Sequence, residues 1–304
     1  MTSSALVLPR SPWRPAWITD RAPVAVVVAI IIVLWYVAAM LMNTAQVRDA
    51  FERDDVKYTA SELIAGTLSA ERPVVPAPHQ VAQNLVESVF DYPPNSPRSL
   101  LYHSWVTLSA TVVGFAIGAL FGILLAVLIV HMRTLEKSLL PWVICSQMVP
   151  ILAIAPIVIV VFGAIGIRGL FPKSIISAYL CFFPVTIGMV KGLTSPDPMQ
   201  LDLMRTWSAS KLQVFTKLRW PSSIPFLFAS LKVSVTISLV GAIVAELPTG
   251  AQAGIGARLL TGSYYGQTVQ IWAALVAAAI IATVLIAIID AVARLAAWRM
   301  GASA

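Results

Sequence analysis

Few side chains in this sequence could do chemistry, and they are widely spaced. His79, His103 and His131 form no H-x-x-H pair, and Cys145 and Cys181 form no C-x-x-C pair, so no metal-ligand set is expected. Both cysteines fall inside apolar runs and read as small packing residues. No G-x-x-x-x-G-K-[ST] stretch occurs, so the chain has no phosphate-cradling P-loop, and no cluster of His, Asp or Glu points to an enzyme. A non-catalytic chain that binds no cofactor or metal itself is expected. What remains is charge in unusual places. Glu246 ends an apolar run in "VAELPTGAQAGIGARL", where an acid is costly unless paired or wet. It reads either as a gate on a pathway or as a structural acid paired with a helix end or Arg258. Residues 202–221, "DLMRTWSASKLQVFTKLRWP", set Arg205, Lys211, Lys217 and Arg219 among aromatic residues. Such a stretch either lies on anionic lipid or docks apolar knobs into a groove on a partner.

The elements that must position these residues follow from composition. Of 304 residues, 58% are hydrophobic and 12% charged, with a mean hydropathy of +0.83. That is about half the charge of an ordinary soluble domain. The expected fold is all-α, a polytopic membrane bundle. The net charge of +7 does not mark a nucleic-acid binder, because the bases sit at the ends of apolar runs, where they set membrane orientation. Six spans are expected, near 22–42, 102–130, 139–162, 174–193, 225–247 and 268–289. The third carries Pro141, Pro150 and Pro156, which must face protein or a cavity. Gln147, Met148 and Pro150 there are candidates to line a translocation path, against ordinary kinked-helix packing. No signal-peptide cleavage pattern is read at the N-terminus, since the apolar run after Arg21 is too long.

Arginine and lysine counts place both termini on one side, with the loops at 131–138 and 191–224. The segment 43–101 lies opposite, with eight acids against five bases. The basic side is expected to be cytoplasmic. The organisation is thus a tail at 1–21, a first span at 22–42, an outer segment at 43–101, a core at 102–298 containing the cytoplasmic loop 194–224, and a tail at 299–304. In the outer segment, 46–70 is expected to form a charged surface helix. Residues 74–90 should form an extended proline stretch, then an amphipathic helix with Val81, Leu85, Val89 and Phe90 on its apolar face. In the loop, Asp197-Pro198 with Gln200, and Ser210 with Gln213, are capping patterns. They predict helices near 198–207 and 211–219, with apolar faces at Leu203, Met204 and Trp207 and at Val214, Phe215 and Leu218. Pro221 and Pro225 should end the second. Gly114, Gly118 and Gly122 form a small-xxx-small ladder suited to close helix packing, at a homodimer seam or within one chain. Asp290 is expected to lie near Arg294.

The loop resembles the E-A-A loop of ABC-transporter permeases, the membrane subunits of binding-protein-dependent importers. Asp202-Leu203-Met204 takes the E-A-A place, Ser208 the glycine, and Leu218-Arg219-Trp220-Pro221 the I-x-L-P, with only the proline identical. Serine at the glycine position raises the question of a positive-φ turn. "VVPAPHQV", "HSWVTLSATVVGFAIGALFGILLAVLI", "MVPILAIAPIVIVVFGAIG" and "VAELPTGAQAGIGARL" resemble motifs of the branch that imports sulfonates, taurine, nitrate and pyrimidine precursors of thiamine. The likeness covers about 74–298, and 43–73 reads as an insertion.

The resemblance implies a type I importer permease in the bacterial inner membrane. Asp202, Leu203, Met204, Arg205, Trp207, Ser208, Ala209, Lys211 and Pro221 would couple it to a cytoplasmic ATPase present in two copies, which binds the ATP and Mg. It further implies a second permease copy and a periplasmic solute-binding protein, for which Gly254-Ile255-Gly256 and the outer segment are candidate docking surfaces; tight helix-end packing is the rival reading of those glycines. A rival function is a self-contained secondary transporter whose basic loop lies on anionic lipid. That would require inverted repeats and intramembrane ionisable residues; no repeat is read, and the spans hold almost none of the latter.

Overall fold

The computed structural model describes residues 16–55, 57–247 and 253–299, with side chains from residue 22 onward. All regular structure among the described residues is helical. In chain order the helices are α1 (Ala16–Arg53), α2 (Ala60–Ser69), α3 (Pro78–Phe90), α4 (Leu100–His131), α5 (Arg133–Ser146), α6 (Ile151–Ala164), α7 (Leu170–Leu193), α8 (Pro198–Thr206), α9 (Lys211–Val214), α10 (Trp220–Glu246), α11 (Ile255–Tyr264) and α12 (Thr268–Arg299). The tails assigned to 1–21 and 299–304 lie largely outside the described residues.

Five stretches are long and apolar enough to cross a bilayer: Ala22–Arg53, Leu100–His131, Leu170–Leu193, Lys211–Glu246 and Thr268–Arg299. The expected third span is a broken pair, α5 and α6, apolar enough together to count as a sixth span but bent by 97°. The break falls at 147–150, where Pro150 has no N–H to donate and biases Val149 away from helical geometry. Neither half reaches the ~20 residues that a crossing needs. Pro141 and Pro156 lie inside the two halves without ending them.

The described residues divide into two compact units between Ala82 and Gln83. In the first, α1 runs on to Arg53, past the bound expected at 42. Residues 43–53 contain no breaker, and the helix stops only before Asp55, whose φ is +51°. The charged helix expected over 46–70 is therefore two pieces, the end of α1 and a separate α2. Thr59 caps α2 in a reciprocal box with Glu62; these hydrogen bonds hold the exposed Glu62 carboxyl below its ordinary pKa. Asn43, fully buried, ties residues 67–75 to α1. Its Nδ2 donates to Thr67 O (3.1 Å) and Val75 O (2.9 Å), and its Oδ1 accepts from the Val74 and Val75 N–H groups (2.8 and 3.2 Å). Both donors and both acceptor sites of this amide are used.

The second unit is built on α4, α7 and α10. The glycine ladder lies inside the chain: a Cβ at Gly114 would sit 2.5 Å from Ser177 Cβ, and one at Gly118 or Gly122 would fall 2.7 Å from the Ala178 or Phe182 carbonyl of α7. Serines face the remaining glycines across α7 and α10, Gly188 meeting Ser230 and Gly192 meeting Ser223. The seam is bonded as well as packed. Ser177 Oγ donates to Ser238 O (2.8 Å), and Ser238 Oγ donates to Thr111 O (3.0 Å). Small residues let the backbones approach, which replaces the hydrophobic drive that lipid cannot supply. Cys181 lies in this core with Val185, Met189 and Leu193, whereas Cys145 is exposed and packs in no core. On α3, Leu85 and Val89 pack with Leu100, Ile255 and Ala274, but Phe90 is 79% exposed, one residue and about 100° around the helix from Val89.

Candidate functional site

Two clusters sit at opposite ends of α10. The first is the hairpin that precedes it. Asp197 accepts from Met199 N–H (2.9 Å) while Gln200 Oε1 accepts from Asp197 N–H (3.3 Å). Ser210 and Gln213 repeat the pattern, with Ser210 N–H donating to Gln213 Oε1 (2.8 Å) and Gln213 N–H to Ser210 Oγ (3.3 Å). Between the two boxes Ser208 takes φ +51°. Its N–H donates to Arg205 O (2.9 Å), and Ala209 N–H donates to Met204 O (3.0 Å). That bond pair is a Schellman cap with Ser208 in the left-handed position usually given to glycine. Serine therefore adopts the turn, against a steric cost of about 1–2 kcal/mol.

The hairpin's exposed face differs from the expected one. Met199, Leu203 and Trp207, spaced by four, project outward with Leu212, and Met199, Trp207 and Leu212 are 79%, 74% and 70% exposed. Met204 and Ala209 are half-buried, while Asp202, Arg205, Ser208 and Lys211 are exposed. The Asp202–Arg205 ion pair (2.9 Å) is solvent-exposed at both ends and contributes little. Val214, Phe215 and Leu218 are half-buried instead, Phe215 stacking edge-on against His131 and packing into the α4–α7 core. Pro221 and Pro225 do not end the helix. Phe215–Arg219 forms a π-helical turn, with Trp220 N–H bonded to Phe215 O, and the chain stays helical to Glu246. The wider turn comes just before Pro221, whose ring would otherwise crowd the carbonyl four residues back.

The second cluster surrounds Glu246, which is fully buried. Its carboxylate accepts from Thr107 Oγ1 (2.9 Å), Lys173 Nζ (3.2 Å) and Gly256 N–H (2.9 Å). Lys173 also donates to Ala253 O (2.9 Å), and Thr107 Oγ1 accepts from Ile255 N–H (2.8 Å). His103 Nε2 lies 2.8 Å from Pro97 O, and Gly254 N–H donates to its Nδ1 (3.0 Å). Gly254 has φ +125°, and a Cβ there would fall inside the Glu246 carboxylate. Gly254-Ile255-Gly256 is thus packed against Glu246; Ile255 and Gly256 are buried. The cation on Glu246 is Lys173. Arg258 bonds Arg98 O (2.8 Å) and Ser88 Oγ (3.4 Å) instead.

Two lysines within the apolar helices make ion pairs that no sequence pattern announces. Lys173 appears in sequence only as a lone cation opening an apolar run, and Lys232 on α10 pairs with Asp290 on α12, one helical turn from Arg294 as expected. Gln147, Met148 and Pro150 lie together at the α5–α6 break and are not joined to the Glu246 cluster by any described hydrogen bond. Met148 and Pro150 are exposed, Gln147 Nε2 is buried without a partner, and Tyr179 OH bonds the neighbouring Ser146 carbonyl.

A multi-pass helical membrane protein with a capped, outward-facing hairpin between two spans defines the class. The family described as "Binding-protein-dependent transport system inner membrane component" matches residues 118–301. The chain is 30% identical over 214 residues to a "Probable ABC transporter permease protein" of Haemophilus influenzae, covering 70% of this chain and 82% of that one. It is 30% identical over 183 residues to the formylaminopyrimidine transport permease protein ThiX of Halalkalibacterium halodurans, covering 60% and 68%. With the riboflavin transport system permease protein RibX of Chloroflexus aurantiacus it shares 28% over 208 residues, covering 68% and 74%. The chain belongs to this inner-membrane family and is an ABC importer permease.

Proposed function

We propose that the chain forms the translocation path of an ATP-driven importer and rests on a separate cytoplasmic ATPase through the α8–α9 hairpin. One observation carries this reading: the stripe of Met199, Leu203, Trp207 and Leu212 is exposed at the end of the bundle that the basic loops assign to the cytoplasm. A large aromatic on a rigid, doubly capped turn is the chemistry of an interface anchor. Asp202, Arg205 and Lys211 would form the polar rim, with Met204 and Ala209 beneath and Pro221 setting the exit into α10. Both termini face the cytoplasm. Two permease copies stand on two ATPase copies, which bind the ATP and Mg and carry out hydrolysis. A periplasmic binding protein delivers the solute, a sulfonate-, taurine- or nitrate-like anion or a pyrimidine precursor of thiamine. The name of the ThiX relative supports the pyrimidine class. Gln147, Met148 and Pro150 line the path at the α5–α6 break, where irregular backbone needs protein or water beside it. Glu246, already saturated with partners, holds the far end of α10 in place.

Replacing 202–211 with a Gly/Ser linker should abolish co-purification of the ATPase while the chain still inserts. Trp207→Ala should weaken ATPase binding about 30-fold, the ~2 kcal/mol of a hot spot. Undiminished transport with the linker in place would instead mean that the hairpin rests on lipid and that transport needs no motor.

A further inference from the structure

A cavity of about 780 Å³ opens at the Glu246 end of the second unit. Its walls include Tyr102 and Trp105 from the first two turns of α4, Ile159 of α6, Arg168 from the α6–α7 connection, and Leu170 and Lys173 of α7. The volume is that of a small-ligand site, and the lining matches one: mostly apolar, with a few polar groups converging. Its charge is one-sided. Among the described lining residues, Arg168 and Lys173 are the charged side chains, and none is an acid. Lys173 is neutralised from behind by Glu246 at 3.2 Å. Arg168 is exposed and has no hydrogen-bond or ion-pair partner among the described residues. The cavity therefore holds one uncompensated guanidinium facing apolar walls.

We propose that this cavity binds a phosphate-class oxyanion carried on an apolar body. The guanidinium fork fits two oxygens of a tetrahedral oxyanion, and Trp105, Ile159 and Leu170 offer the surface for the apolar part. Depth supports the same chemistry. Tyr102 and Trp105 open a membrane-crossing helix at the level where aromatic side chains meet headgroups. An anionic phospholipid and a soluble organic phosphate share this chemistry, and either could supply it. The site does not depend on the proposed ATPase contact, which lies at the other end of α10.

The test uses the full chain purified with its co-expressed partners, in two arms. In the first, the chain is loaded from vesicles of phosphatidylglycerol and phosphatidylcholine, and retained lipid is counted by native mass spectrometry. In the second, phenyl phosphate is titrated calorimetrically, with benzyl alcohol as the neutral control. Anion should bind in preference to the neutral compound in at least one arm, and that arm identifies the source. Arg168→Gln should lower that binding about tenfold, the scale of one charge-assisted hydrogen bond, and Arg168→Lys should lower it less. Because Arg168 holds nothing in place, both variants should keep the unfolding midpoint of the parent. Binding unaltered by Arg168→Gln, equal binding of neutral compounds, or no anion bound in either arm would each overturn the proposal.

Discussion

Lys173 and Glu246 offer the sharpest quantitative test of this structure. Glu246 is fully buried, and among the described residues Lys173 is its one cation partner. Lys173→Met leaves a buried carboxylate uncompensated, at a cost of about 3–5 kcal/mol. For a unit of this size each kcal/mol shifts the unfolding midpoint by roughly 2–4 °C, so a fall of about 6–20 °C is expected. Glu246→Gln keeps an acceptor for Gly256 N–H and Thr107 but strands the ammonium, and should cost a similar amount. Combining the two removes both charges. The Lys173–Glu246 bond then goes with both of its charges, and the bond from Lys173 to Ala253 O is lost with its acceptor left behind, worth about 0.5–1.5 kcal/mol. The double variant should therefore be more stable than either single one, with a coupling energy of about 2 kcal/mol or more. Denaturant unfolding of the detergent-solubilised protein, followed by tryptophan fluorescence, measures all four corners of the cycle. Losses that simply add in the double variant would refute the pairing.

Ser208→Gly should remove the left-handed strain of the hairpin cap and stabilise it by about 1 kcal/mol, read as slower amide exchange at Ala209. Asn43→Ala should leave the carbonyls of Thr67 and Val75 and the amides of Val74 and Val75 unpaired, costing about 2–4 kcal/mol. The expected sign is faster proteolysis within 70–76 in a chain that still inserts.

The parts of the fold set by neighbours in sequence were legible. The capping boxes at Asp197 and Ser210 close over three residues, and the boundaries of α4 and α8 follow from them and from hydropathy. The prolines marked the third span as irregular without choosing among themselves: Pro150 precedes a 97° bend, while Pro141 and Pro156 stay inside helices. Pro221 misled because a single proline can be accommodated by one π turn, something no local pattern announces. Lys173 and Glu246 are 73 residues apart, so neither predicts the other. Asn43 is equally silent, as its four partners lie 24 to 32 residues downstream. Leu203 and Trp207 in the exposed stripe follow from the helical period, while Met199, four residues earlier, coincides with the capping signal that masks it.

The run from Lys211 to Glu246 is helical throughout, 36 residues and so about 54 Å long. It begins at the exposed hairpin and ends on a carboxylate fastened by three donors. Its one departure from α geometry is the π turn at Phe215–Arg219, and Pro225 lies one turn beyond Pro221 inside the helix. Under the proposed coupling, a push on the hairpin crosses the turn at 208–210 and then meets no further loop before Glu246. On the same proposal, the stiffness of that π turn would set how much of a stroke at the hairpin reaches Glu246.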